Sequence, residues 1–273
     1  MTRKLEQLLT MVSKRLIFQV AVGRPSKLYE HCIESVSQYC KKYNIEHVVL
    51  RQPKLRIGVD PFNTNRSKEA VARLGYLPIF EKENAFEYLD EYDQVGIIDS
   101  DIYIRDTAPN IFDEVTDEYD FGAVVERDMP ITQQYINKIH GYSKMQYQTL
   151  NQCDWKWNDR GGEFYNMGMM ILNKSFKEYL NGETPKEFIQ RLEFKDFVDG
   201  KGAWKWSTDQ TLLNYFVKKY KVKTKQLEYK WNSLYTAVTP EAQKESHFVH
   251  FFLKDHLPNQ GENVDQLMRD IHA

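Results

Sequence analysis

Two aspartates, Asp99 and Asp101, stand one residue apart directly after the apolar run of residues 95–98, and a second apolar stretch follows at residues 102–104. The first run has the character of a buried strand, and open α/β folds bind ligands at the carboxyl ends of such strands. Carboxylate oxygens suit Mg²⁺ or Mn²⁺, which proteins usually hold with one or two carboxylates and substrate phosphates. We therefore predict a metal site at Asp99 and Asp101. A solvated turn is the alternative, because Asp and Ser are common turn residues.

Other groups that can take part in chemistry lie late in the chain. His247 and His250 form the only His-X-X-His spacing, and Lys254 follows four residues after His250. An imidazole nitrogen is a common metal ligand, and a lysine ammonium can contact a phosphate as a point charge. Asp209 and Gln210 fall at a predicted helix start, where free N–H groups and the helix dipole point at whatever lies there.

The elements that must position these residues follow a β-α-β order. Apolar runs at residues 16–23 and 45–50 predict strands, and helical spacing predicts a helix over residues 28–43 between them. This alternation predicts an α/β fold with a mostly parallel central sheet flanked by helices. The remaining strands are predicted at residues 95–98, 121–126, 164–172, 226–231 and 248–253.

Helices are predicted in the polar stretch of residues 64–92, with breaks at Gly75 and Pro78, and at residues 207–220, the second with Ser207 or Thr208 as its cap. Residues 127–163 are polar and aromatic, which is typical of an insertion that shapes a binding face. Two polar, glycine-containing segments carry four tryptophans. We predict that they form a platform for an acceptor sugar, with core packing as the alternative, because indole rings present an apolar face and a polar edge. These residues are Trp155, Trp157, Trp204 and Trp206.

Bulk properties limit the class of protein. The 273 residues are 41% hydrophobic and 28% charged, which predicts one globular domain. The formal net charge of −2 argues against a dedicated nucleic-acid binder. Three cysteines without metal spacing are expected to be reduced thiols. The charged N-terminus lacks the apolar core of a signal peptide, and no stretch approaches the roughly 20 apolar residues of a membrane span, so a cytoplasmic protein is expected.

The order of the motifs resembles that of a known enzyme family. Asp-X-Asp follows an apolar strand at residues 99–101, Asn-X-Gly precedes an apolar strand at residues 166–168, Asp-Gln opens a helix at residues 209–210, and a His and a Lys come late. This set is similar to the glycosyltransferases of the A-type (GT-A) fold, most of all to the glycogenin and bacterial galactosyltransferase-like group. The resemblance implies a single Rossmann-like domain over residues 1–273, with a nucleotide-binding half at about residues 16–126 and an acceptor-binding half at about residues 127–256.

The resemblance also implies a metal centre. Asp99 and Asp101 match the residues that bind Mn²⁺ or Mg²⁺ bridging the diphosphate of a nucleotide-sugar donor. The late histidine of the family completes the metal shell, and His250 is the better match, with His247 as the alternative. The spacing from His250 to Lys254 is shorter than in the family, and the usual glycine between them is missing.

Further donor-binding residues follow from the same resemblance. Lys82 lies at about the position of the family's basic residue, although its charged neighbours leave a solvated helix face as an alternative. Asn166 matches a position that holds the donor sugar, and Lys254 matches the lysine at the phosphates. The end of the first strand, with Val22 and Gly23, would contact the nucleotide base. Ser100, between the two aspartates, is assigned to the donor as well.

The implied reaction transfers a sugar from a nucleotide diphosphate, with UDP as the default by analogy, to a hydroxyl acceptor such as a glycan. A divalent ion and a lysine stabilise the charge on the leaving diphosphate. If the anomeric configuration is retained, Gln210 lies near the opposite face of the sugar. If it is inverted, a carboxylate base is required, and Asp209 is the first candidate.

Two other enzyme classes remain as alternatives at this stage. A sugar-phosphate nucleotidyltransferase also needs a metal and a nucleotide pocket, but residues 22–27 only weakly resemble its Gly-rich phosphate loop. A phosphatase of the haloacid-dehalogenase type also uses Asp-X-Asp at a strand end. Its motif normally opens the chain, whereas here it follows about a third of the chain and two β-α units.

Overall fold

The computed structural model describes residues 13–23, 26–68 and 75–272. Nine strands in this part of the chain form a six-stranded sheet and a three-stranded sheet. In chain order they are β1 (Arg15–Val20), β2 (Glu46–Leu50), β3 (Gln94–Ile98), β4 (Ile102–Ile104), β5 (Phe121–Val125), β6 (Tyr165–Asn173), β7 (Thr224–Leu227), β8 (Ser233–Leu234) and β9 (Phe248–His250).

The large sheet has the strand order β2-β1-β3-β6-β5-β7. The pairs β1–β2, β1–β3 and β5–β7 are parallel, and β6 is antiparallel to both of its neighbours. Strands β3, β5 and β6 are buried along their whole length, which explains why they appear in the sequence as continuous apolar runs. The predicted mostly parallel central sheet is confirmed.

The small sheet has the strand order β4-β9-β8 and brings the residues near Asp101 next to residues near the end of the chain. Strand β4 begins right after Asp101 and pairs antiparallel with β9, with Ile102 opposite His250. The backbone N–H of Phe251 donates to the carbonyl of Asp101 at 2.9 Å. This register places a late histidine beside the two aspartates.

The helices cover the sheets. The α-helices are α1 (Lys27–Tyr43), α2 (Gln133–Tyr147), α3 (Pro185–Ile189), α4 (Lys195–Asp199), α5 (Asp209–Lys219), α6 (Pro240–Lys244) and α7 (Val264–His272). Helix α1 begins after its cap Ser26 and agrees with the predicted helix of residues 28–43. Among the described residues, no helix has both the length and the apolar character that a membrane span requires.

The predicted helical stretch of residues 64–92 differs from the structure in helix type. Residues 69–74 lie outside the described part, and the segment after the predicted breaks, Pro78–Asp90, is a 3₁₀ helix. Gly75 and Pro78 interrupt the segment, since neither residue favours a helix interior. The charged run at residues 81–84 is fully buried in this 3₁₀ helix, so the solvated-face alternative for Lys82 is excluded.

Two late strands are shorter than predicted. Strand β7 ends at Leu227, and Tyr229–Trp231 is a 3₁₀ turn rather than the end of a strand over residues 226–231. Strand β9 ends at His250 instead of residue 253. Beyond it Leu253 takes a left-handed backbone conformation, with φ of 58°, that no strand can contain.

Candidate active site

Asp99, Asp101 and His250 come together at the junction of the two sheets. Asp99 directly follows β3, Asp101 directly precedes β4, and His250 ends β9. The imidazole Nε2 of His250 lies 3.3 Å from Asp101 Oδ1 and 3.9 Å from Asp99 Oδ2. One ligand atom from each of the three residues can be chosen such that all lie within 4.8 Å of one another. This spacing allows a single cation to contact all three residues. Asp99, Asp101 and His250 therefore form a candidate metal cluster.

The alternative histidine, His247, is not at this cluster. Its ring packs against Trp231, with ring centroids 4.8 Å apart. The backbone N–H of His247 donates to the carbonyl of Lys230, and the carbonyl of His247 accepts from the backbone N–H of Arg105. Of the two histidines predicted as metal ligands, only His250 is near the aspartates.

The ligand atoms of these three side chains fit a divalent cation. Two carboxylates and one imidazole supply oxygen and nitrogen ligands of the kind that Mn²⁺ accepts. Gly168 leaves room for the ring, because a Cβ at this position would lie 2.3 Å from Cε1 of His250. The Asn-X-Gly motif therefore contributes space as well as polar groups.

Electrostatics at the cluster reflect burial opposed by opposite charge. Burial raises the pKa of Asp99 to about 6, although the nearby Lys82 acts in the other direction. Burial also acts to raise the pKa of Asp101, but the charge and hydrogen bond of His250 outweigh it and lower that pKa. Burial alone would lower the pKa of His250, and the two aspartates raise it overall. A cation bound to these side chains would compete with protons for the same ligand atoms.

Lys82 joins the metal cluster to helix α5. Its buried ammonium lies 2.9 Å from Asp99 Oδ1, 2.7 Å from Asp209 Oδ2 and 3.0 Å from the carbonyl oxygen of Met167. Burial acts to lower the pKa of Lys82, but the carboxylates of Asp209 and Asp99 outweigh it and raise that pKa. The lysine stays charged and holds two carboxylates in place.

Helix α5 presents Asp209 and Gln210 at its first turn, as the sequence predicts. Thr208, one of the two predicted caps, accepts a hydrogen bond from the backbone N–H of Gln210 at 3.2 Å. The amide oxygen of Gln210 accepts from the backbone N–H of Met167 at 3.2 Å. These contacts fix the start of α5 and hold the side chain of Gln210 beside the start of β6.

A polar network that the sequence did not predict lies behind the metal cluster. The side-chain amide of Asn166 donates to Glu126 at 2.8 Å, and Tyr135 donates to the same carboxylate at 2.7 Å. Burial raises the pKa of Glu126, although these two hydrogen bonds act to lower it. Asn232 then bridges Asn166 and His250, at 2.9 and 3.0 Å. Only the predicted Asn166 pointed to this network.

These residues surround an open cleft of about 500 Å³. A neighbouring hollow of about 300 Å³ shares Lys82, Asp99 and Asp101 with the cleft. Its other walls include Val22 and Ser100, whose hydroxyl donates to the carbonyl of Val20. The other predicted site residues that line the cleft are Asn166, Trp206, Asp209, Gln210, His250 and Lys254.

Comparisons with known proteins follow this geometry. The sequence matches no family model and no curated protein. Solved structures are similar along almost the whole chain. The galactosyltransferase LgtC, solved with donor and acceptor sugar analogues, is 15% identical with a TM-score of 0.56, and the match covers 94% of this chain and 95% of LgtC. This chain has the A-type glycosyltransferase fold.

Two further structures agree with this assignment. A glycosyltransferase involved in glycosylation of the major capsid of PBCV-1 is 12% identical with a TM-score of 0.51, and the match covers 92% of this chain and 99% of that one. The bifunctional glycosyltransferase WbbM is 12% identical with a TM-score of 0.51, covering 96% of this chain and 50% of WbbM. The predicted A-type fold is confirmed.

Two of the four tryptophans predicted as an acceptor platform are packing residues in this A-type fold. Trp155 is 2% exposed and stacks on Tyr147 with ring centroids 4.2 Å apart. Its indole N–H donates to the carbonyl of Leu150, and that of Trp204 donates to the carbonyl of Gln146. These bonds satisfy the polar edges of both rings inside the protein; Trp155 is buried, Trp204 is half-buried, and neither is among the residues that line the cleft.

The other two tryptophans differ in position. Trp157 is 44% exposed, but it packs over Gly162 and does not line the cleft. Trp206 is 59% exposed and lines the cleft near the start of α5. Gly23, predicted to contact the base, lies three residues after the end of β1 with φ of 93° and is not among the residues that line the cleft or the neighbouring hollow. Trp206 is the one predicted aromatic that the fold brings to the site.

Glu83 has an unusual environment behind the site. Both of its carboxylate oxygens are buried without a hydrogen-bond partner among the described residues. The adjacent ammonium of Lys82 already contacts three other oxygen atoms. Burial, followed by the charge of Asp209, raises the pKa of Glu83 well above its ordinary value of 4.5, against the opposing effect of Lys82. Burial without hydrogen-bond donors therefore favours the neutral carboxylic acid over the carboxylate at this position.

Glu83→Gln is expected to gain stability relative to the wild type as pH rises above 5. The unfolded glutamate ionises near its ordinary pKa of 4.5, whereas the folded one keeps its proton to higher pH. The stability that Glu83 contributes is thus complete below the unfolded pKa. It is lost towards the raised folded pKa, at up to about 1.4 kcal/mol per pH unit. Glutamine has no such loss.

Urea unfolding of both proteins at pH 5, 6.5 and 8 measures this difference. Glu87→Gln, exposed on the same 3₁₀ helix, is the matched control and is expected to change the free energy of unfolding by less than about 0.5 kcal/mol at each pH. A Glu83→Gln effect that is equal at all three pH values would contradict the neutral acid.

Proposed function

We propose that the protein is a metal-dependent glycosyltransferase that moves a sugar from a nucleotide-diphosphate sugar to a hydroxyl acceptor such as a glycan. The observation that carries the proposal is the convergence of Asp99, Asp101 and His250 on the cleft of an A-type fold. Mn²⁺ or Mg²⁺ is the proposed cofactor, and UDP is the proposed nucleotide by analogy with the galactosyltransferase-like group.

The donor is proposed to span the two connected hollows. The base and ribose occupy the smaller one, against Val22 and beside Ser100, which both line it. The diphosphate is proposed to lie near Asp99 and Asp101, which together with His250 would hold the divalent ion. The sugar extends into the larger cleft. This order is proposed because Lys82, Asp99 and Asp101, the residues near the diphosphate, line both hollows.

The bound ion would supply positive charge to the diphosphate as the anomeric bond breaks. Lys254, exposed at the cleft, is proposed to contact the same phosphates. Lys82 keeps Asp99 and Asp209 in place, and Asn166 faces the sugar through its fixed amide. Gln210 is proposed to lie at the sugar face opposite the leaving group. Asp209 is already paired with Lys82, so service as a general base would require it to give up this ion pair.

For the acceptor, we propose Trp206 as the aromatic surface on which a sugar ring rests. Trp206→Ala is expected to raise the KM for the acceptor about tenfold with little change in kcat, which corresponds to the loss of about 1.4 kcal/mol of binding. Steady-state kinetics with varied acceptor measure this effect. Trp157→Ala is the matched control, because Trp157 is exposed away from the cleft. Equal kinetic effects of the two variants would contradict the role of Trp206.

The other enzyme classes lack a specific observation in their favour. The weak phosphate-loop pattern of a nucleotidyltransferase includes residues 24 and 25, which lie outside the described part of the chain. A haloacid-dehalogenase-type phosphatase does not account for His250 beside the two aspartates. A cytoplasmic location stays a prediction, which the three free, buried cysteines support.

Calorimetric titration of the purified protein with UDP, GDP and CMP, with and without Mn²⁺, tests the proposed function. We expect one nucleotide to bind tightly only in the presence of metal, and we expect that nucleotide to be UDP. Hydrolysis of a panel of sugars linked to that nucleotide then identifies the donor. No binding of any nucleotide under either condition would refute the proposal and make phosphatase assays the next experiment.

A further inference from the structure

Asn232 connects the histidine of the metal cluster to the sugar side of the cleft. It is fully buried between the 3₁₀ turn Tyr229–Trp231 and strand β8. Its amide nitrogen lies 2.9 Å from Asn166 Oδ1, and its amide oxygen lies 3.0 Å from His250 Nδ1. No motif in the sequence includes this residue.

The orientation of each amide in this chain of contacts follows from a backbone group. The N–H of Gly168 lies 3.0 Å from the side chain of Asn166, and a backbone N–H can only donate. The Asn166 atom that it contacts must therefore be the amide oxygen. The other atom is then the amide nitrogen, which donates to the carboxylate of Glu126 at 2.8 Å.

The same reasoning extends to Asn232 and His250. Since the oxygen of Asn166 can only accept, Asn232 must present its amide nitrogen to it. The oxygen of Asn232 therefore faces His250, and this oxygen also can only accept. Nδ1 of His250 must carry a proton. In a neutral imidazole, Nε2 then holds the free lone pair.

That lone pair faces the two aspartates. Nε2 is the ring atom that lies 3.3 Å from Asp101 Oδ1 and 3.9 Å from Asp99 Oδ2. Gly168 leaves room for this ring position, because a Cβ there would lie 2.3 Å from Cε1 of His250. A histidine that binds a metal through one nitrogen usually donates its other N–H to a neighbouring acceptor, and this acceptor sets the ring's tautomer and orientation.

We propose that Asn232 is a positioning residue that selects the Nδ1–H tautomer of His250 and so prepares Nε2 to bind a divalent cation. Through Asn166 it also couples the metal cluster to Glu126 on the sugar side. The consequence for catalysis rests on the proposed function, but the tautomer itself is a property of this chain alone.

Three variants separate this role from a general effect on folding. Asn232→Ala removes the acceptor of the Nδ1 proton and is expected to weaken Mn²⁺ binding about 10- to 100-fold. Asn232→Asp keeps an acceptor oxygen for Nδ1 but loses the N–H that donates to Asn166, so a smaller loss of Mn²⁺ affinity than in Asn232→Ala, within about fivefold, is expected. Ser233→Ala changes the next buried residue, whose hydroxyl has no partner among the described residues, and should leave the affinity unchanged. Calorimetric titration with Mn²⁺, in the presence of the nucleoside diphosphate that the wild type binds best, measures all three affinities.

The tautomer is measured directly by long-range ¹⁵N–¹H correlation on protein labelled at histidine. The metal-free protein is recorded at alkaline pH, where the ring is neutral, and His250→Gln identifies the His250 signal by its absence. We expect the wild type and Asn232→Asp to have the proton on Nδ1. Asn232→Ala is expected to lose this preference.

Each outcome bears on one proposal or the other. Wild-type Mn²⁺ affinity and an unchanged tautomer in Asn232→Ala would overturn the role of Asn232. If Asn232→Ala does not fold, a hundredfold loss of affinity in a folded Asn232→Asp would overturn it instead. If the wild type itself binds no Mn²⁺, the proposed metal-dependent function fails. The tautomer measurement still decides the role of Asn232 in that case.

Discussion

Asp101→Ala is expected to lower the rate of sugar transfer by about three orders of magnitude and to remove the metal-dependent part of nucleoside diphosphate binding. Its carboxylate is one of the three groups that could hold a metal ion at the cluster and lies 3.3 Å from the imidazole of His250. A divalent ion at the leaving diphosphate contributes several kcal/mol to transition-state stabilisation, and each 1.36 kcal/mol is a factor of ten in rate.

The fold is expected to survive this change. Asp101 is paired mainly with His250, and its backbone carbonyl, which accepts from Phe251, is retained in the variant. Transfer rates, Mn²⁺ titration and thermal unfolding together separate loss of metal from loss of structure.

His247→Ala is the matched control, because His247 packs against Trp231 away from the cluster. We expect it to keep transfer within about twofold of the wild type, since it contacts no residue of the proposed mechanism. An active Asp101→Ala enzyme would remove Asp101 from the metal site. A loss of transfer in His247→Ala that matches the loss in Asp101→Ala would contradict the choice of His250.

The metal cluster was accessible from the sequence because its members leave local signals. A buried strand that ends in Asp-X-Asp is a local pattern, and His250 could be ranked above His247 by its match to a known family. The proximity of Asp101 and His250 depends on the antiparallel pairing of β4 with β9, which no local pattern encodes. Here the resemblance supplied the long-range contact.

The buried charges were not accessible in the same way. The run of residues 81–84 has the composition of a solvated surface, and its burial depends on tertiary packing rather than on local propensity. Lys82 is buried because Asp209, 127 residues later in the chain, supplies an opposite charge. A single sequence carries no signal for such a pair.

Isolated polar residues in apolar surroundings were missed for a related reason. Glu126 is the last residue of a predicted strand and Asn232 lies in an aromatic segment, but neither has a spacing that marks a site. The tryptophans present the opposite case, because their clustering indicated a platform while two of the four are packing residues. Ring composition does not distinguish an indole whose N–H is satisfied inside, as in Trp155, from one that is free at a cleft, as in Trp206.

Lys82→Met is expected to lower the free energy of unfolding at pH 7.5 by about 3–5 kcal/mol, the usual range when one partner of a buried ion pair is removed. The methionine side chain has a similar length but supplies no charge. Asp99 and Asp209 would then lose the ammonium that lies 2.9 and 2.7 Å from them, and the carbonyl of Met167 would lose a donor. Urea unfolding followed by circular dichroism measures the change.

Lys138→Met is the matched control for this experiment. Lys138 also lines the cleft, but it is exposed, and its ammonium lies over the ring of Tyr135, 5.8 Å from the ring centroid. Its replacement is expected to change the free energy of unfolding by less than about 0.5 kcal/mol. Equal stability losses in the two variants would mean that the charge of Lys82 is not what stabilises the site.

The same variant tests how the two halves of the site depend on one another. Lys82 is the contact that joins Asp99 of the proposed metal shell to Asp209 at the start of α5. Without it, repulsion between the two carboxylates is expected to move Asp99 from its place beside His250. Mn²⁺ affinity should therefore fall together with stability in Lys82→Met, although lysine is not a metal ligand. A folded Lys82→Met protein with wild-type Mn²⁺ affinity would indicate that Asp99 is positioned by the end of β3 alone.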